Sequence, residues 1–134
     1  MNKCIFCKII KGKIPAHKVY KDNLVFAFLD KHPINPGHIL VVPKKHIPDF
    51  YNLDDKNYRA LMVAVKKLAK IIKKINPKKV GLFIAGWDVP HTHAHIVPMK
   101  NHHDITSKAS SLRGGKQANP GDKRLAKMAK QLSL

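Results

Sequence analysis

The sequence predicts an α+β domain with a largely antiparallel sheet, one long helix and a short C-terminal helix. Apolar, β-branched segments of strand length occur both before and after a single long amphipathic segment, and turn-forming residues separate them. Strands on both sides of one helix indicate an α+β domain. The chain has 134 residues, of which 44% are hydrophobic, and this is enough for one such domain with its own core.

Three strands are predicted ahead of the long helix. The first two cover residues 18–20 and 24–29, and the polar residues 21–23 form the turn between them. The third covers the β-branched run 39–42, which Pro43 ends.

The long helix is predicted to follow Leu53. Asp54 or Asp55 can cap its N-terminus, and Asn76 and Pro77 end it. Apolar residues recur at helical spacing in between, with lysines on the opposite face; the apolar ones are Tyr58, Leu61, Met62, Val65, Leu68 and Ile72.

Two further strands are predicted after the helix, at residues 80–85 and 91–97. We divide the chain into a domain at 1–100 and a basic, partly irregular extension at 101–134, since the later residues are polar and rich in breakers. Within the extension, Asp122–Leu132 is predicted to form a short amphipathic helix.

The charge of the chain has one dominant sign. There are 26 Lys and Arg against 8 acids, a net charge of +18, and every acid is an aspartate. The absence of Glu excludes the His-Glu-x-x-His zinc protease helix, the EF-hand loop and Glu-paired glycosidase sites. A positive field attracts anions, but only three of the 26 cations are arginines, the residue preferred for reading bases. We therefore interpret the charge as diffuse electrostatics.

Neither export nor membrane insertion is expected. The longest uncharged apolar stretch, residues 80–87, is far below the roughly 20 residues that a spanning helix needs. The first ten residues carry an apolar run too short for a signal peptide. We expect a cytoplasmic protein, in which Cys4 and Cys7 are thiols or metal ligands rather than a structural disulfide.

The run 91–97, His-Thr-His-Ala-His-Ile-Val, carries the clearest chemical signal. On a strand, alternate residues face one side, so His91, His93 and His95 would lie side by side. Clustered imidazoles favour the neutral ring, which is nucleophilic and binds metals. Three kinds of site use such a face. They are a cupin-type metal site, which usually needs a nearby Glu; a zinc held by three histidines, whose outer members would be about 13 Å apart; and a phosphate site with a nucleophilic central histidine.

This run resembles the histidine triad signature of the HIT superfamily, His-φ-His-φ-His-φ-φ, where φ is hydrophobic. The resemblance covers residues 4–98 and implies a HIT-like fold. The supporting segments are 4–10, 14–15, 19–22, 28–30 and 36–46, which follow the order and spacing of bacterial HIT proteins of the Hint-like branch.

The resemblance implies a role for each matching residue. His93 matches the nucleophile, whose Nε2 attacks the α-phosphorus to form a nucleotidyl-histidine that water resolves. His95 and His38 match the histidines that flank and support it, and Asp30 matches the acid that accepts hydrogen bonds from the ribose. The apolar residues that match the base pocket, with core packing as the competing interpretation, are Ile5, Phe6 and Phe28.

Cys4 and Cys7 alone fit a redox dithiol, half of a metal site or coincidence. His46 and His91 match positions used in zinc-bearing bacterial HIT proteins. The resemblance therefore implies a closed Cys2His2 site for a structural zinc, and it implies no catalytic cofactor.

The loop before the triad departs from the family pattern. Where the Hint and Fhit branches read approximately Gly-Gln-Ser/Thr-Val, this chain has Gly86, Trp87, Asp88 and Val89. An ionised Asp88 would repel a phosphate unless it is protonated, turned away or paired. It either handles a proton for the leaving group or caps a turn.

The function implied by the resemblance is hydrolysis or transfer at the α-phosphate of nucleotidyl compounds. Nucleoside phosphoramidates are the first expected substrates, and dinucleoside polyphosphates are the second. The alternative is a zinc-stabilised module that binds nucleotides or nucleic acid with little catalysis, in which the charge carries the function. A homodimer with sheets joined edge to edge is expected, nucleic acid is not the favoured partner, and no membrane partner is expected.

Overall fold

A five-stranded antiparallel sheet, in the order β1-β2-β3-β5-β4, forms the centre of the computed structural model. The structure describes residues 3–106 and 119–133. The predicted α+β class is confirmed. The elements are α1 (Ile5–Ile10), β1 (Lys18–Lys21), β2 (Val25–Leu29), β3 (Ile39–Pro43), α2 (Asp55–Ile72), β4 (Lys79–Phe83), β5 (Ala94–Met99) and α3 (Asp122–Leu132), with short 3-10 helices at Phe50–Asn52 and Lys73–Ile75.

The two faces of the sheet carry different hydrophobic cores. Alternate strand residues face opposite sides, so Val25 and Ala27 of β2 join the core under α2, while Phe26 and Phe28 join the core beneath α1. The predicted apolar stripe of α2 covers the larger core, in which Leu61, Leu68 and Ile72 are fully buried; Tyr58 is exposed. The histidine side chains lie on the α1 side of the sheet.

The ends of α2 follow from local chemistry. Asp54 is the N-cap residue, but its carboxylate accepts a hydrogen bond from the Asn57 side chain at 2.7 Å and bonds no helix N–H. Negative charge at this end still favours the helix dipole. The 3-10 turn that continues α2 stops at Asn76, which adopts the left-handed conformation at φ 54°, directly before Pro77.

Two parts of the chain differ from the sequence-based expectations. Helix α1 was not expected; Cys4 is its N-cap and accepts a hydrogen bond from the Cys7 N–H at 3.5 Å. Strand β5 begins at Ala94 rather than at His91. The reason is that the Thr92 N–H bonds the Ile47 carbonyl at 2.8 Å, outside the sheet ladder, so the start of the histidine run is not a strand.

The predicted C-terminal helix forms and packs against β1, β2 and α2. Its residues Leu125, Ala129 and Leu132 are buried in the larger core. The expected domain boundary after residue 100 stays a prediction, because the connecting residues 107–118 lie outside the described part of the chain. Among the helices that the structure describes, none has the length and apolar character to span a membrane.

Candidate active site and metal centre

His93 lies just before β5 on the α1 side of the sheet and is 5% exposed. Its Nδ1 is 2.7 Å from the His91 carbonyl oxygen, which can only accept, so Nδ1 carries the proton and Nε2 carries the lone pair. The ring packs edge-on against Phe6 with centroids 5.1 Å apart. Within residues 3–106 and 119–133, no group hydrogen-bonds Nε2. The local geometry thus leaves the Nε2 lone pair of His93 available.

A chain of hydrogen bonds sets the tautomers of His38 and His95. The Ile34 N–H donates to His38 Nδ1 at 3.0 Å, so the His38 proton is on Nε2. That Nε2 is 3.0 Å from Nδ1 of His95, which must accept, so the His95 proton is on its own Nε2. The His93 and His95 rings are 5.0 Å apart between centroids. His95 therefore carries an N–H donor on a ring that neighbours the His93 ring.

The imidazoles of His38, His93 and His95 are all held in the neutral form. Burial lowers the pKa of His38 to about 3 and that of His95 to about 2, and repulsion from the neighbouring histidines lowers both further. Burial also lowers the pKa of His93, opposed by its bond to the His91 carbonyl and by the charge of Asp88.

The buried His38 predicts a loss of stability in acid. The pKa of His38 is about 3 in the folded chain, whereas the ordinary value is 6.5. Between pH 3 and pH 6.5, His38 is therefore protonated in the unfolded chain and neutral in the folded chain. The contribution of His38 to the unfolding free energy should be intact above pH 6.5 and should fall by about 1.4 kcal/mol per pH unit below it, and the lowered pKa values of His93 and His95 add to this loss. Denaturant titrations at about pH 7.5 and pH 5.5 with zinc held constant would measure this loss.

His38→Asn is the matched variant for this measurement, because it keeps an acceptor for the Ile34 N–H but cannot be protonated in this range. It should lose less stability between the two pH values, whereas His103→Ala, at an exposed imidazole, should behave as the parent chain. Equal losses in the parent and His38→Asn chains would refute the assignment.

Asp30 follows β2, and its carboxylate faces His38. One oxygen accepts from the His32 N–H at 2.9 Å, and the other is 3.6 Å from His38 Nε2. Burial raises the pKa of this carboxyl. Asp30 and His38 line a cavity of about 310 Å³ between the β2–β3 loop and α3, so a carboxylate acceptor is available beside the histidines.

Asp30, His38 and His95 also place three ligand-type atoms within 4.8 Å of one another. A cation there would need a lone pair on Nε2 of His38. That nitrogen carries the proton, because Nδ1 already accepts from Ile34. The cluster is therefore a hydrogen-bond relay, and its chemistry does not fit a metal site.

The three apolar residues predicted near a base differ in exposure. Phe6 and Phe28 are buried and meet edge-on, with centroids 5.5 Å apart, so core packing accounts for their burial. Ile5 is 45% exposed on the same helix as Phe6. Only Ile5 offers a largely open apolar surface.

The unusual loop before the triad is exposed. Asp88 acts on His93 through its charge, and in the described residues its side chain caps no turn. Trp87 is 90% exposed, beside Gly86 at φ +81°. The charge of Asp88 thus raises the pKa of His93, whereas the Trp87 side chain is open to solvent.

Four side chains converge at the N-terminus of α1, as expected for a metal centre. Cys4 and Cys7 lie opposite His46 and His91, and all four ligand atoms are within 4.8 Å of one another. The Nδ1 atoms of the two histidines are 3.3 Å apart, and sulfur–nitrogen distances are 3.2, 3.5 and 3.6 Å. A tetrahedral zinc at normal bond lengths requires about 3.3 Å between nitrogens and about 3.5 Å between sulfur and nitrogen.

The orientation of His91 also fits a zinc site. Its Nε2 donates to the Pro43 carbonyl at 2.7 Å, which leaves a lone pair on Nδ1 directed at the cluster. Two imidazole nitrogens and two sulfurs facing one point fit a zinc ion well. His91 therefore belongs to this cluster, and the expectation that three imidazoles lie side by side on a strand is wrong.

Other groups that contribute to the site could hardly be predicted from the sequence. Phe83 of β4 stacks on His95 with centroids 4.2 Å apart and an angle of 10° between the rings. The antiparallel register that pairs these two residues could not be read from the strands alone. The Ile34 N–H and the Pro43 carbonyl are backbone groups, which no residue type reveals.

The fold, together with His93, His95 and His38 on one side of the sheet, is that of a histidine triad domain. The HIT domain family model matches residues 11–102, so the chain belongs to the HIT domain family. An uncharacterized HIT-like protein of Borreliella burgdorferi is 42% identical over 106 residues, which cover 73% of this chain and 76% of that protein.

Two further matches extend this comparison. An adenosine 5'-monophosphoramidase of Schizosaccharomyces pombe is 41% identical over 100 residues, covering 73% of this chain and 75% of that protein. The crystal structure of a Hit-like protein from Bartonella henselae superposes with a TM-score of 0.81 at 30% identity, covering 98% of this chain and 95% of that one.

Proposed function

We propose that this protein is a nucleotide hydrolase or transferase that cleaves at the α-phosphate of nucleotidyl compounds. The observation that carries the proposal is the tautomer of His93, whose Nδ1 is tied to a carbonyl and whose Nε2 lone pair is unshared by the described residues. The similarity to an adenosine 5'-monophosphoramidase supports nucleoside phosphoramidates as first substrates. Dinucleoside polyphosphates are the second class.

In the first step, His93 Nε2 forms a bond to the α-phosphorus and the bond to the leaving group breaks. The leaving amine departs with a proton drawn from solvent through the Asp88 carboxylate, whose charge acts on His93. Water then attacks the α-phosphorus and passes a proton back through Asp88 to solvent. The N–P bond breaks, its electron pair returns to His93 Nε2, and the nucleoside monophosphate leaves. His95 supplies an N–H donor to the phosphoryl oxygens, and His38 holds it in that tautomer.

The nucleoside is held by groups on the same side of the sheet. The Asp30 carboxylate accepts hydrogen bonds from the ribose hydroxyls. Ile5 supplies exposed apolar surface for the base, and Phe6 and Phe28 support it from beneath. The neutral imidazoles do not repel a phosphate group, and the Asp30 carboxylate can accept hydrogen bonds from neutral hydroxyls. Both properties suit a substrate whose negative charge is on phosphate.

The Cys4, Cys7, His46 and His91 set would hold a structural zinc. All four positions are protein ligands, so the ion would act as a cross-link between α1 and the triad segment. In this way it would orient Phe6 against the His93 ring.

The assembly we propose is a cytoplasmic homodimer. The sheet order leaves β4 as an edge strand, and pairing it with a second copy would satisfy its backbone groups. Light scattering at the mass of a monomer would rule this assembly out.

Incubation with adenosine 5'-phosphoramidate tests the proposed chemistry. We expect release of AMP, and rapid denaturation at alkaline pH early in the reaction should trap adenylate bound to His93, because the N–P bond of such an adduct is stable in alkali and hydrolyses in acid. Asp88→Asn should lower turnover more than substrate binding. AMP release with no covalent adenylate at any time point would contradict the two-step route.

A further inference from the structure

One face of α2 carries a dense set of cations that the histidine site does not use. At about 100° per residue they span an arc of about 120°, opposite the buried stripe of the helix. We call this set the α2 basic face; its members are Lys56, Arg59, Lys66, Lys67, Lys70, Lys73 and Lys74, the last two in the 3-10 turn that continues α2.

The charge of the α2 basic face is largely uncompensated. All seven side chains are exposed, and in the part of the chain that the structure describes only Arg59 lies within 4.0 Å of a carboxylate, that of Asp55 at 3.9 Å. Residues 58–79 contain no acid. Lys66, Lys70 and Lys74 follow one another at a spacing of four residues, where like charges destabilise a helix. A neutralising partner would relieve this repulsion.

The α2 basic face lies on the far side of the sheet from the histidine site. Helix α2 covers the core of Val25 and Ala27, whereas His93 and His95 lie on the α1 side. A spacing of about 10 Å between the sheet and the helix axis and a helix radius of about 5 Å put the basic face roughly 15 Å from the sheet that carries the histidines on its other side. The Debye length is about 8 Å at physiological salt. Attraction of a small substrate to the histidines therefore cannot account for these cations.

We infer that the α2 basic face binds the phosphate backbone of nucleic acid without reading its sequence. From Lys56 to Lys74 the cations extend over about 27 Å, or one every 4 to 5 Å, and a nucleic-acid strand offers one phosphate per about 3.4 Å. Six of the seven are lysines, which act as point charges on phosphate and lack the fork that arginine uses on bases.

The same face is poorly suited to an anionic membrane. A helix at a membrane interface inserts a broad apolar side with large residues. The apolar stripe of α2 is buried on the sheet, and within the basic arc Val63 is the one exposed apolar side chain. Electrostatic contact with a linear polyanion fits this surface better.

The test uses the full chain and three fluorescent probes: a single-stranded RNA of about 20 nucleotides, a DNA duplex of the same length, and vesicles of phosphatidylcholine with phosphatidylserine. The variant is Lys66→Gln/Lys70→Gln/Lys74→Gln. Its matched control, Lys11→Gln/Lys13→Gln/Lys100→Gln, removes the same charge from exposed sites off α2. Thermal unfolding checks that both remain folded.

The α2 variant should bind nucleic acid at least about tenfold more weakly at roughly 0.1 M salt, and its log–log salt slope should fall by about 2 to 3. The control should stay within about threefold of the parent. Equal weakening in both variants would attribute binding to net charge and overturn the inference. Absence of nucleic-acid binding by the parent chain, or binding of vesicles alone, would overturn it as well.

Discussion

His93→Asn should reduce AMP release from adenosine 5'-phosphoramidate by at least about a thousandfold. The asparagine keeps an N–H donor for the His91 carbonyl, so the local hydrogen bond at 2.7 Å can persist, but no nitrogen remains where Nε2 stands. The covalent adenylate should disappear together with turnover. Steady-state rates and early quench samples would measure both effects.

Nucleotide binding and zinc content should survive in the same variant, because neither Asp30 nor the metal cluster is altered. Thermal unfolding and metal analysis would establish this. His103→Ala, at an exposed imidazole outside the site, serves as the matched control and should keep full activity. Full activity in His93→Asn would remove His93 as the nucleophile.

The second large effect is expected from the metal centre. Cys4→Ser or Cys7→Ser should reduce bound zinc from about one ion per chain to near zero, because a neutral hydroxyl is a poor replacement for a thiolate. Serine nearly matches cysteine in size, so the loss of stability reports mainly on the metal. We expect the unfolding free energy to fall by about 3 kcal/mol and the Tm by about 10 °C.

Turnover should fall in both cysteine variants, since α1 carries Phe6 against the His93 ring. His102→Ala is the matched control, because it removes an exposed imidazole outside the cluster and should leave zinc and Tm unchanged. The relay cluster of Asp30, His38 and His95 should hold no second ion. A stoichiometry of two zinc ions, or a parent chain whose Tm is unaffected by strong chelators, would contradict this account.

Part of the site could be predicted because its chemistry is concentrated in short motifs. The histidine run and the Cys-x-x-Cys pair are visible as residue types at fixed spacing. The arrangement around His91 could not be predicted from the alternation of side chains along a strand. Strand pairing starts only at Ala94, because Thr92 bonds the Ile47 carbonyl and His91 bonds the Pro43 carbonyl, so His91 turns to the cysteines.

The placement of the positive charge could likewise not be predicted from the sequence. Composition alone indicated a diffuse positive field. The structure places seven of the cations on the outer face of α2, behind the sheet that carries the histidines on its other side. Which side of a sheet a helix covers depends on chain connection and packing, and neither appears in a count of residues.

Sequence patterns alone established the α+β class, the long helix, the short C-terminal helix and the residue types of both histidine sites. Helical and strand periodicity act over a few residues, so they can be read locally. The tertiary structure decided the tautomers of His38, His93 and His95, the stacking of Phe83, and the meeting of Cys4 with a histidine 87 positions away. Such contacts depend on strand register and on the closure of long loops, where packing of the whole domain selects one arrangement.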